Sequence, residues 1–441
     1  MAKKSFKQVK KKEVFLLLLF FVFTLFFWLT RLWHFEKLIS FHSDQALFMR
    51  EVWEMVASGK PRLIGPMVIS KVVHGRGFFI GPVMYYLLAP LAIIFKWNVI
   101  LITKALLFMW WLTALGILIW ISKRFSWLAG LAAYGIFASL PFLIDFSHKI
   151  WNPNFLPLIG IGFFWLLEEI WRKEKKWHWF LLGFFLGLGI NFHYSAFLWL
   201  LFFLSILALG WRRKKFKFFH LGLPLFVLGI IIGDLPLFLF ELRHNFYNLQ
   251  TVFFIAQHGI FEGKEEFALG RHNLLALIPV FFWGLAYLIH QFEKKFGFQK
   301  TLILILIVFL FLVSNIDWQK EWSPTMPKGW NVTKQQKVAQ MICQDVKKEK
   351  TDCKFEVAAT IHGDTRATAL RWWLSREGCT PMRVEDYPQA KTLYLIAPES
   401  RPPEEETVWE VSVIKPFEVV KERSLKDGII FYKLEKTEES K

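Results

Sequence analysis

One short polar segment of the chain combines a carboxylate, an imidazole and a hydroxyl group. The stretch FHSDQALF, residues 41–48, places Asp44 beside His42 and Ser43, shortly after the apolar run 14–33. A carboxylate in this setting can accept a proton from an attacking hydroxyl group. It can also cap the amphipathic helix that apolar residues at helical spacing predict for 44–58. The sequence leaves both roles open.

Further polar and basic side chains occur in other segments between apolar runs. Cations and imidazoles can stabilise the charge that develops on a phosphate leaving group. Ordinary roles compete with this one, because a lysine or arginine near a membrane extends toward water and a charge at a helix end interacts with the helix dipole. The candidate substrate-binding residues are His42, His74, Arg76, His148, Lys149, Asn154, His193, Glu241, Arg243 and His244.

The elements that position these residues are apolar helices. The chain has 441 residues, of which 54% are hydrophobic. A helix needs about 20 apolar residues to cross the bilayer core, and the run 14–33 supplies them. A cleaved signal peptide is disfavoured there, because the run is long and residues 31–36 are bulky and charged. The sequence therefore predicts a polytopic membrane protein.

The net charge of +18 is confined to the apolar part of the chain. Residues 317–441 contain 21 basic and 21 acidic side chains, whereas residues 1–316 contain 33 basic and 15 acidic ones. A nucleic-acid-binding protein would carry its excess charge on one face of a soluble domain. The distribution therefore argues against a nucleic-acid partner and resembles the basic loops of a membrane protein.

Five basic segments, around 3–12, 123–124, 172–176, 212–217 and 293–300, alternate with the apolar runs. Because cytoplasmic loops are rich in Lys and Arg, an even number of crossings must separate each pair. The number of crossings is even only if segment 78–95 does not cross the membrane. Gly81, Pro82 and Pro90 weaken a regular helix there, so we interpret the segment as a re-entrant or interfacial helix. About nine spans follow: 14–33, 99–121, 126–143, 155–171, 178–190, 196–210, 221–240, 272–290 and 301–315.

This topology predicts a multi-pass protein of the plasma membrane. Its N-terminus lies in the cytoplasm, and residues 34–98 and 317–441 lie outside. The first external loop, 34–77, then contains Asp44, and it belongs to a membrane domain that ends at residue 316.

Five segments follow one another along this membrane domain. They are HSDQALFMREVWEMVASGKP, HGRGFFIGPVMYYLLAPL, SHKIWNPNFLP, GLGINFHYSAFLWL and GDLPLFLFELRHNF. In this order the chain resembles the integral-membrane glycosyltransferases of the GT-C class, over roughly residues 10–316. More narrowly it is similar to the superfamily of the protein O-mannosyltransferases and the lipid A aminoarabinose transferases.

The resemblance implies an enzyme that moves a sugar from a polyprenyl phosphate to an acceptor on the outer face. The essential acid of these families falls on Asp44, which implies that it is the base, with the candidate cations around the phosphate. Gln45 stands where the family often has a second acid, so whether a divalent metal takes part stays open. The membrane lipid carries the donor, and the acceptor is a glycan, a lipid or a protein.

Residues 317–441 have the pattern of a small soluble α/β domain. Helices are predicted for 334–349 and 365–377, and strands for 354–360, 391–397, 416–423 and 428–434. Asp364 fits the cap of the second helix better than a sugar ligand. All three cysteines, Cys343, Cys353 and Cys379, lie here, and an oxidising exterior permits one disulfide with one thiol left over.

Two other classes of function stay open. A transporter or flippase of a lipid-linked or polar solute would place charges near the bilayer midplane on broken helices, and Asp234 is the main residue of that kind. A sensor or binding protein would use residues 317–441 and need the helices only as an anchor. About nine crossings are more than an anchor needs, so we favour the transferase.

Overall fold

A computed structural model describes residues 2–67, 77–213, 215–258, 270–348 and 354–437, with side chains from residue 12 onward. Of the residues singled out above, His74, Arg76 and Cys353 lie outside this part of the chain. The molecule divides into two compact units. The first comprises Met1–Leu32, Met55–Ser147 and Trp151–Ile316, and the second comprises Trp33–Glu54, His148–Ile150 and Asp317–Lys441. Segments 33–54 and 148–150, which the sequence division assigned to 1–316, thus group with the tail.

Helices make up nearly all of the regular structure before residue 317. They are α1 (Ala2–Leu32), α2 (Phe35–Leu38), α3 (Ser43–Ser58), α4 (Val83–Ile94), α5 (Val99–Arg124), α6 (Trp127–Ser139), α7 (Pro141–Ser147), α8 (Leu156–Arg172), α9 (Lys176–Phe192), α10 (Phe197–Arg212), α11 (Phe219–Gly233), α12 (Leu235–Arg243), α13 (Tyr247–His258), α14 (Ile278–Phe296) and α15 (Phe298–Ser314). Short 3-10 helices cover Asn152–Phe155, Tyr194–Ala196 and Arg271–Leu277.

Five helical segments of the described chain are long and apolar enough to cross a membrane, or seven if two bent helix pairs each count as one span. The five are Lys12–Leu32, Val99–Arg124, Asn152–Arg172, Tyr194–Arg212 and Arg271–Phe296. The predicted fold class, a helical membrane protein with a small C-terminal α/β part, is confirmed. The predicted number of nine crossings stays a prediction.

Two predicted spans are broken rather than straight. The run 126–143 bends by 61° between α6 and α7, and the run 221–240 bends by 86° between α11 and α12. Helix α7 begins at Pro141, and Pro236 is the second residue of α12. Proline has no N–H to donate to the preceding turn, so it is tolerated at a helix start and interrupts a longer helix.

The segment 78–95 forms only the short helix α4, which has 12 residues. At 1.5 Å per residue this is roughly 18 Å, well short of the bilayer core. Pro82 stands at the position before the helix and Pro90 lies inside it. The length agrees with a helix that does not cross the membrane by itself.

Helices α9 and α11 pack closely through paired glycines. Gly183 and Gly187 of α9 face the backbone of α11, where a Cβ atom at either position would clash with the carbonyl oxygen of Phe226 or Ile230. Glycines four residues apart let two membrane helices approach to backbone contact. This packing brings the ends of α9 and α11 side by side.

The second unit contains a four-stranded sheet with strand order β1-β2-β4-β3. Its strands are β1 (Phe355–Ala359), β2 (Thr392–Pro398), β3 (Phe417–Ser424) and β4 (Ile429–Lys436), and its helices after residue 317 are α16 (Val332–Lys348), α17 (Thr368–Arg376) and α18 (Trp409–Ser412). Strands β1 and β2 are parallel, and the other two pairs are antiparallel. Every element predicted for the tail is present within a few residues of its expected bounds.

The interior of this unit is apolar and is joined by one disulfide. Leu393, Leu395 and Leu434 are fully buried in its core. Cys343 of α16 is bonded to Cys379, just after α17. The sequence allowed one disulfide among the three cysteines without indicating which two form it, and the structure pairs these two.

Candidate active site

Asp44 lies in the first turn of α3, in the second unit. It is half-buried, and an acid in the first turn interacts favourably with the positive end of the helix dipole. Gln45 reaches back, and its Oε1 accepts a hydrogen bond from the His42 backbone N–H at 3.2 Å. This is the bond that a glutamine makes in a capping box. Gln45, which replaces the family's second acid, therefore has a structural role here.

The segment His148–Ile150 belongs to the same unit and contributes His148 and Lys149. Ser40 donates its backbone N–H to the carbonyl oxygen of His148 at 3.1 Å and forms a parallel bridge with Lys149. The side chains of His148 and Lys149 are both buried. Two segments about a hundred residues apart in sequence are thus joined through their backbones immediately before Asp44.

His42 is in a site that disfavours its charged form. Burial is the main cause that lowers its pKa to about 4, and the positive charge of Lys149 and the neighbouring His362 lower it further, against a smaller opposing effect of Asp364. His42 is therefore neutral near pH 7. Lys149 is the better candidate for a standing positive charge near Asp44, with His42 as a neutral hydrogen-bonding group.

The tail helices hold the segment that leads into α3. Gln335 of α16 donates its side-chain N–H to the carbonyl oxygen of Phe41 at 3.0 Å. The same side chain accepts a hydrogen bond from Trp373 at 3.2 Å, and the Phe41 and Trp373 rings lie 5.2 Å apart. The segment that leads to Asp44 is therefore held in place by contacts with residues 317–441.

His362 and Asp364 also lie near His42, and no sequence pattern connected them with it. Asp364 accepts hydrogen bonds from the backbone N–H of Thr368 at 2.8 Å and from its hydroxyl at 3.0 Å. Asp364 thus binds the first residue of α17, whereas the N-cap position itself is occupied by Ala367. The pKa of His362 is lowered mainly by burial, with Asp364 acting in the opposite direction.

Asn154 and His193 both belong to the first unit, in neighbouring segments. Asn152, two residues before Asn154, donates to the carbonyl oxygen of Phe192 at 2.6 Å. His193 is buried, its Nδ1 lies 2.9 Å from the Ser195 hydroxyl, and its ring is 5.1 Å from that of His272. His272 was not singled out in the sequence, although it begins a polar segment before α14.

Asn154 is buried and donates its side-chain N–H to the carbonyl oxygen of Phe146 at 2.8 Å. This bond fixes the turn between α7 and α8. Asn154 therefore has a structural role in shaping this turn.

Glu241, Arg243 and His244 lie at the end of α12. The Glu241 carboxylate accepts hydrogen bonds from the backbone N–H groups of Asn248 and Leu249 at 3.1 and 3.3 Å, at the start of α13. Arg243 and His244 are exposed, and the His244 ring bonds to the Phe240 carbonyl oxygen. Glu241 thus has a capping task, and a substrate role for the three stays a prediction.

The pair Asn191 and Asp234 joins the ends of α9 and α11, and pattern analysis did not connect them. Asn191 is fully buried and donates to an Asp234 carboxylate oxygen at 2.7 Å. Its own side-chain and backbone oxygens accept hydrogen bonds from Val83 and Gly81, both at 3.0 Å. A Cβ at Gly81 would collide with the Asn191 side chain, so this glycine permits the contact.

The arrangement places a carboxylate, a buried lysine and a neutral histidine in one unit. Such a set can accept a proton and stabilise an anion. Among the residues that the structure describes, no three His, Cys, Asp or Glu side chains are placed to hold a metal ion. The described donors thus do not fit a metal site, and no step below runs through one.

Similarity to solved structures supports the predicted fold. No family model and no curated protein sequence matches the chain. Among solved structures it is similar to ArnT from Cupriavidus metallidurans in the apo state, with a TM-score of 0.51 and 9% identity, over 96% of this chain and 98% of that one. It is also similar to the same protein bound to undecaprenyl phosphate, with a TM-score of 0.53 and 9% identity, over 95% and 98% of the two chains. ArnT is a lipid A aminoarabinose transferase of the GT-C class, so the predicted resemblance is confirmed for the fold.

Proposed function

We propose that the chain is a membrane glycosyltransferase that moves a sugar from a polyprenyl-phosphate donor to an acceptor on the outer face of the membrane. The observation that carries the proposal is the fold shared with ArnT over nearly the whole length of both chains. One of the ArnT structures binds undecaprenyl phosphate, which supports a lipid-linked donor of that chemistry for this chain.

In the proposed reaction, Asp44 takes the proton from the acceptor hydroxyl group. The acceptor oxygen forms a bond to the anomeric carbon of the sugar, and the bond between that carbon and the phosphate oxygen breaks. The bonding electrons remain on the phosphate, where Lys149 stabilises the additional negative charge. In this proposal His42, neutral at pH 7, hydrogen-bonds to the substrate without adding a second cation.

The direct test uses the full-length protein in vesicles with undecaprenyl phosphate that carries a radiolabelled sugar. The expected result is that the label leaves the donor, in transfer to a membrane acceptor or in hydrolysis, and that undecaprenyl phosphate accumulates. An intact donor after prolonged incubation with glycan, lipid and peptide acceptors would contradict the proposal.

A transporter or flippase is the second candidate, and one observation favours it. Helices α11 and α12 form a broken pair bent by 86°, and Asp234 at the break bonds to the buried Asn191. Transporters place polar side chains on broken helices within the membrane. The bonds that Asn191 makes to Gly81 and Val83 indicate a structural brace instead. Movement of labelled donor across the vesicle membrane without loss of its sugar would favour the transporter.

A further inference from the structure

A cavity of about 410 Å³ lies among four helices of the first unit, near the basic end of α5 and α8. Phe164 and Leu167 of α8, Phe202 and Ile206 of α10, and Trp283 of α14 line it. Phe164 and Leu167 are buried within the protein. An apolar cavity of this size, lined by aromatic and aliphatic side chains and partly open to its surroundings, is typical of a ligand site.

The cavity is displaced from Asn154 along helix α8. Asn154 precedes the first residue of α8, whereas the cavity residue Trp171 is its second-to-last residue. Helix α8 has 17 residues, so at 1.5 Å per residue the two ends are roughly 25 Å apart. From this end the cavity extends as far as Phe164, which is roughly 15 Å along the helix from Asn154.

The two charged side chains in the cavity wall, Arg124 and Glu168, are paired with each other. Arg124 forms an ion pair with Glu168, and the other Glu168 oxygen accepts a hydrogen bond from the Trp120 indole at 3.1 Å. The wall thus offers a ligand no net charge. An uncharged alkyl chain fits such a lining, and an ionised headgroup does not.

Exposed cations surround the cavity residue Trp171. The Arg213 guanidinium is 5.7 Å and the Lys215 ammonium 5.1 Å from the centre of its ring. Lys123, next to Arg124, lies 5.1 Å from the Trp165 ring. An anionic headgroup at this mouth would meet several positive charges while its chain enters the cavity.

The cavity volume matches the acyl chain of a glycerophospholipid better than a polyprenyl chain. A cavity of about 150 Å³ accommodates benzene, which has six carbons, so about 410 Å³ accommodates on the order of sixteen carbons. That is the length of one acyl chain of a glycerophospholipid. A polyprenyl chain with several tens of carbons would not be enclosed.

We propose that this cavity binds one acyl chain of an anionic glycerophospholipid, whose phosphate contacts Arg213 and Lys215. This proposal does not depend on the proposed transfer reaction. It is a place where the composition of the surrounding membrane can affect the protein.

The test uses the full-length protein in vesicles that contain phosphatidylglycerol with a photoreactive group at the end of one acyl chain. After irradiation, mass spectrometry of the peptides should place the label on segments 164–171 and 202–206. The variant Ile206→Trp, which fills the cavity, should remove most of this label. The control Leu204→Trp, on the exposed face of the same helix, should leave the label unchanged.

The headgroup contribution is tested with Arg213→Glu combined with Lys215→Glu. Because each cation near an anionic lipid contributes a severalfold gain in binding, labelling should fall by about tenfold or more. The control pair Lys294→Glu and Lys295→Glu, in another basic segment, should label like the wild type. Equal labelling by phosphatidylcholine, displacement by equimolar undecaprenyl phosphate, or label scattered over all exposed helix faces would each overturn the proposal.

Discussion

Gln335 donates a hydrogen bond to the carbonyl oxygen of Phe41 at 3.0 Å, across 294 residues of sequence. The residue that receives it lies three positions before Asp44. The tail of the chain is therefore part of the framework on which the proposed base is mounted, and the same side chain also accepts a bond from Trp373.

We expect Gln335→Ala to destabilise the second unit. The substitution leaves the Phe41 carbonyl group and the Trp373 indole N–H without their partner, which costs about 1–3 kcal/mol for a buried polar group. Thermal unfolding in detergent, followed by circular dichroism, measures the change. The control Gln340→Ala removes a surface bond of the same helix to Glu377. An equal shift in both variants would show that the bond to Phe41 has no special weight.

The disulfide gives a prediction about thiol chemistry. The chain has three cysteines, and Cys343 and Cys379 are bonded to each other. The denatured, unreduced protein should therefore react with one equivalent of a thiol reagent, at Cys353, and the reduced protein with three. Removing the bond with Cys343→Ala and Cys379→Ala should cost about 2–4 kcal/mol of stability. Three reactive thiols before reduction would contradict the pairing.

Local patterns predicted many of the regular elements, although helix α13 (Tyr247–His258) was not among them. Apolar residues at helical spacing predicted a helix over 44–58, and α3 covers Ser43–Ser58. Short strand-like runs in the tail predicted all four strands. Burial does not alternate along them, since β1 is buried on both faces and β3 is largely exposed. The predicted helix at 334–349 is present as α16 (Val332–Lys348).

Contacts between distant residues could not be predicted in the same way. The bond between Asn191 and Asp234 depends on the close packing of α9 on α11, and no short window contains both residues. The disulfide partner of Cys343 likewise depended on how α16 packs on α17. The bend at Asp234 was missed because residues 221–240 are apolar on average and therefore resemble one continuous span. Pro236, which has no backbone N–H to donate, interrupts the helix within this run.

Stability should depend on pH through His42. Its pKa is lowered from 6.5 to about 4 in the folded protein, chiefly by burial. The unfolded chain therefore binds a proton at a higher pH than the folded chain, and stability falls as the pH drops from 6.5 toward 4. The loss amounts to about 3 kcal/mol at most, at about 1.4 kcal/mol per pKa unit.

The variant His42→Gln should lose less stability than the wild type over this pH range, as measured by thermal unfolding at pH 4.5 and pH 7. The control His244→Gln replaces an exposed histidine and should behave like the wild type. A wild-type protein as stable at pH 4.5 as at pH 7 would contradict the account of His42.

Lys149 should contribute to the stabilisation of the leaving phosphate. We expect Lys149→Gln to lower kcat/KM for the polyprenyl-phosphate sugar by about 10²-fold, as for the loss of one group that stabilises an anion in a transition state. Lys149→Arg should keep more activity, because it keeps the charge. The control Lys37→Gln removes a lysine whose partner is Glu321 at the surface and should have little effect. Equal losses in Lys149→Gln and Lys149→Arg, with lowered melting temperatures, would assign Lys149 a structural role only.

The most direct measurement compares sugar transfer by the wild type, Asp44→Asn and the control Glu54→Gln, which replaces an exposed acid of the same helix. We expect Asp44→Asn to lower kcat by about 10²–10⁴-fold, since a general base contributes that much. Donor binding and melting temperature should stay near wild-type values. Glu54→Gln should retain full activity. Equal turnover by the wild type and Asp44→Asn, in proteins that are equally folded, would contradict the assignment of Asp44 as the base.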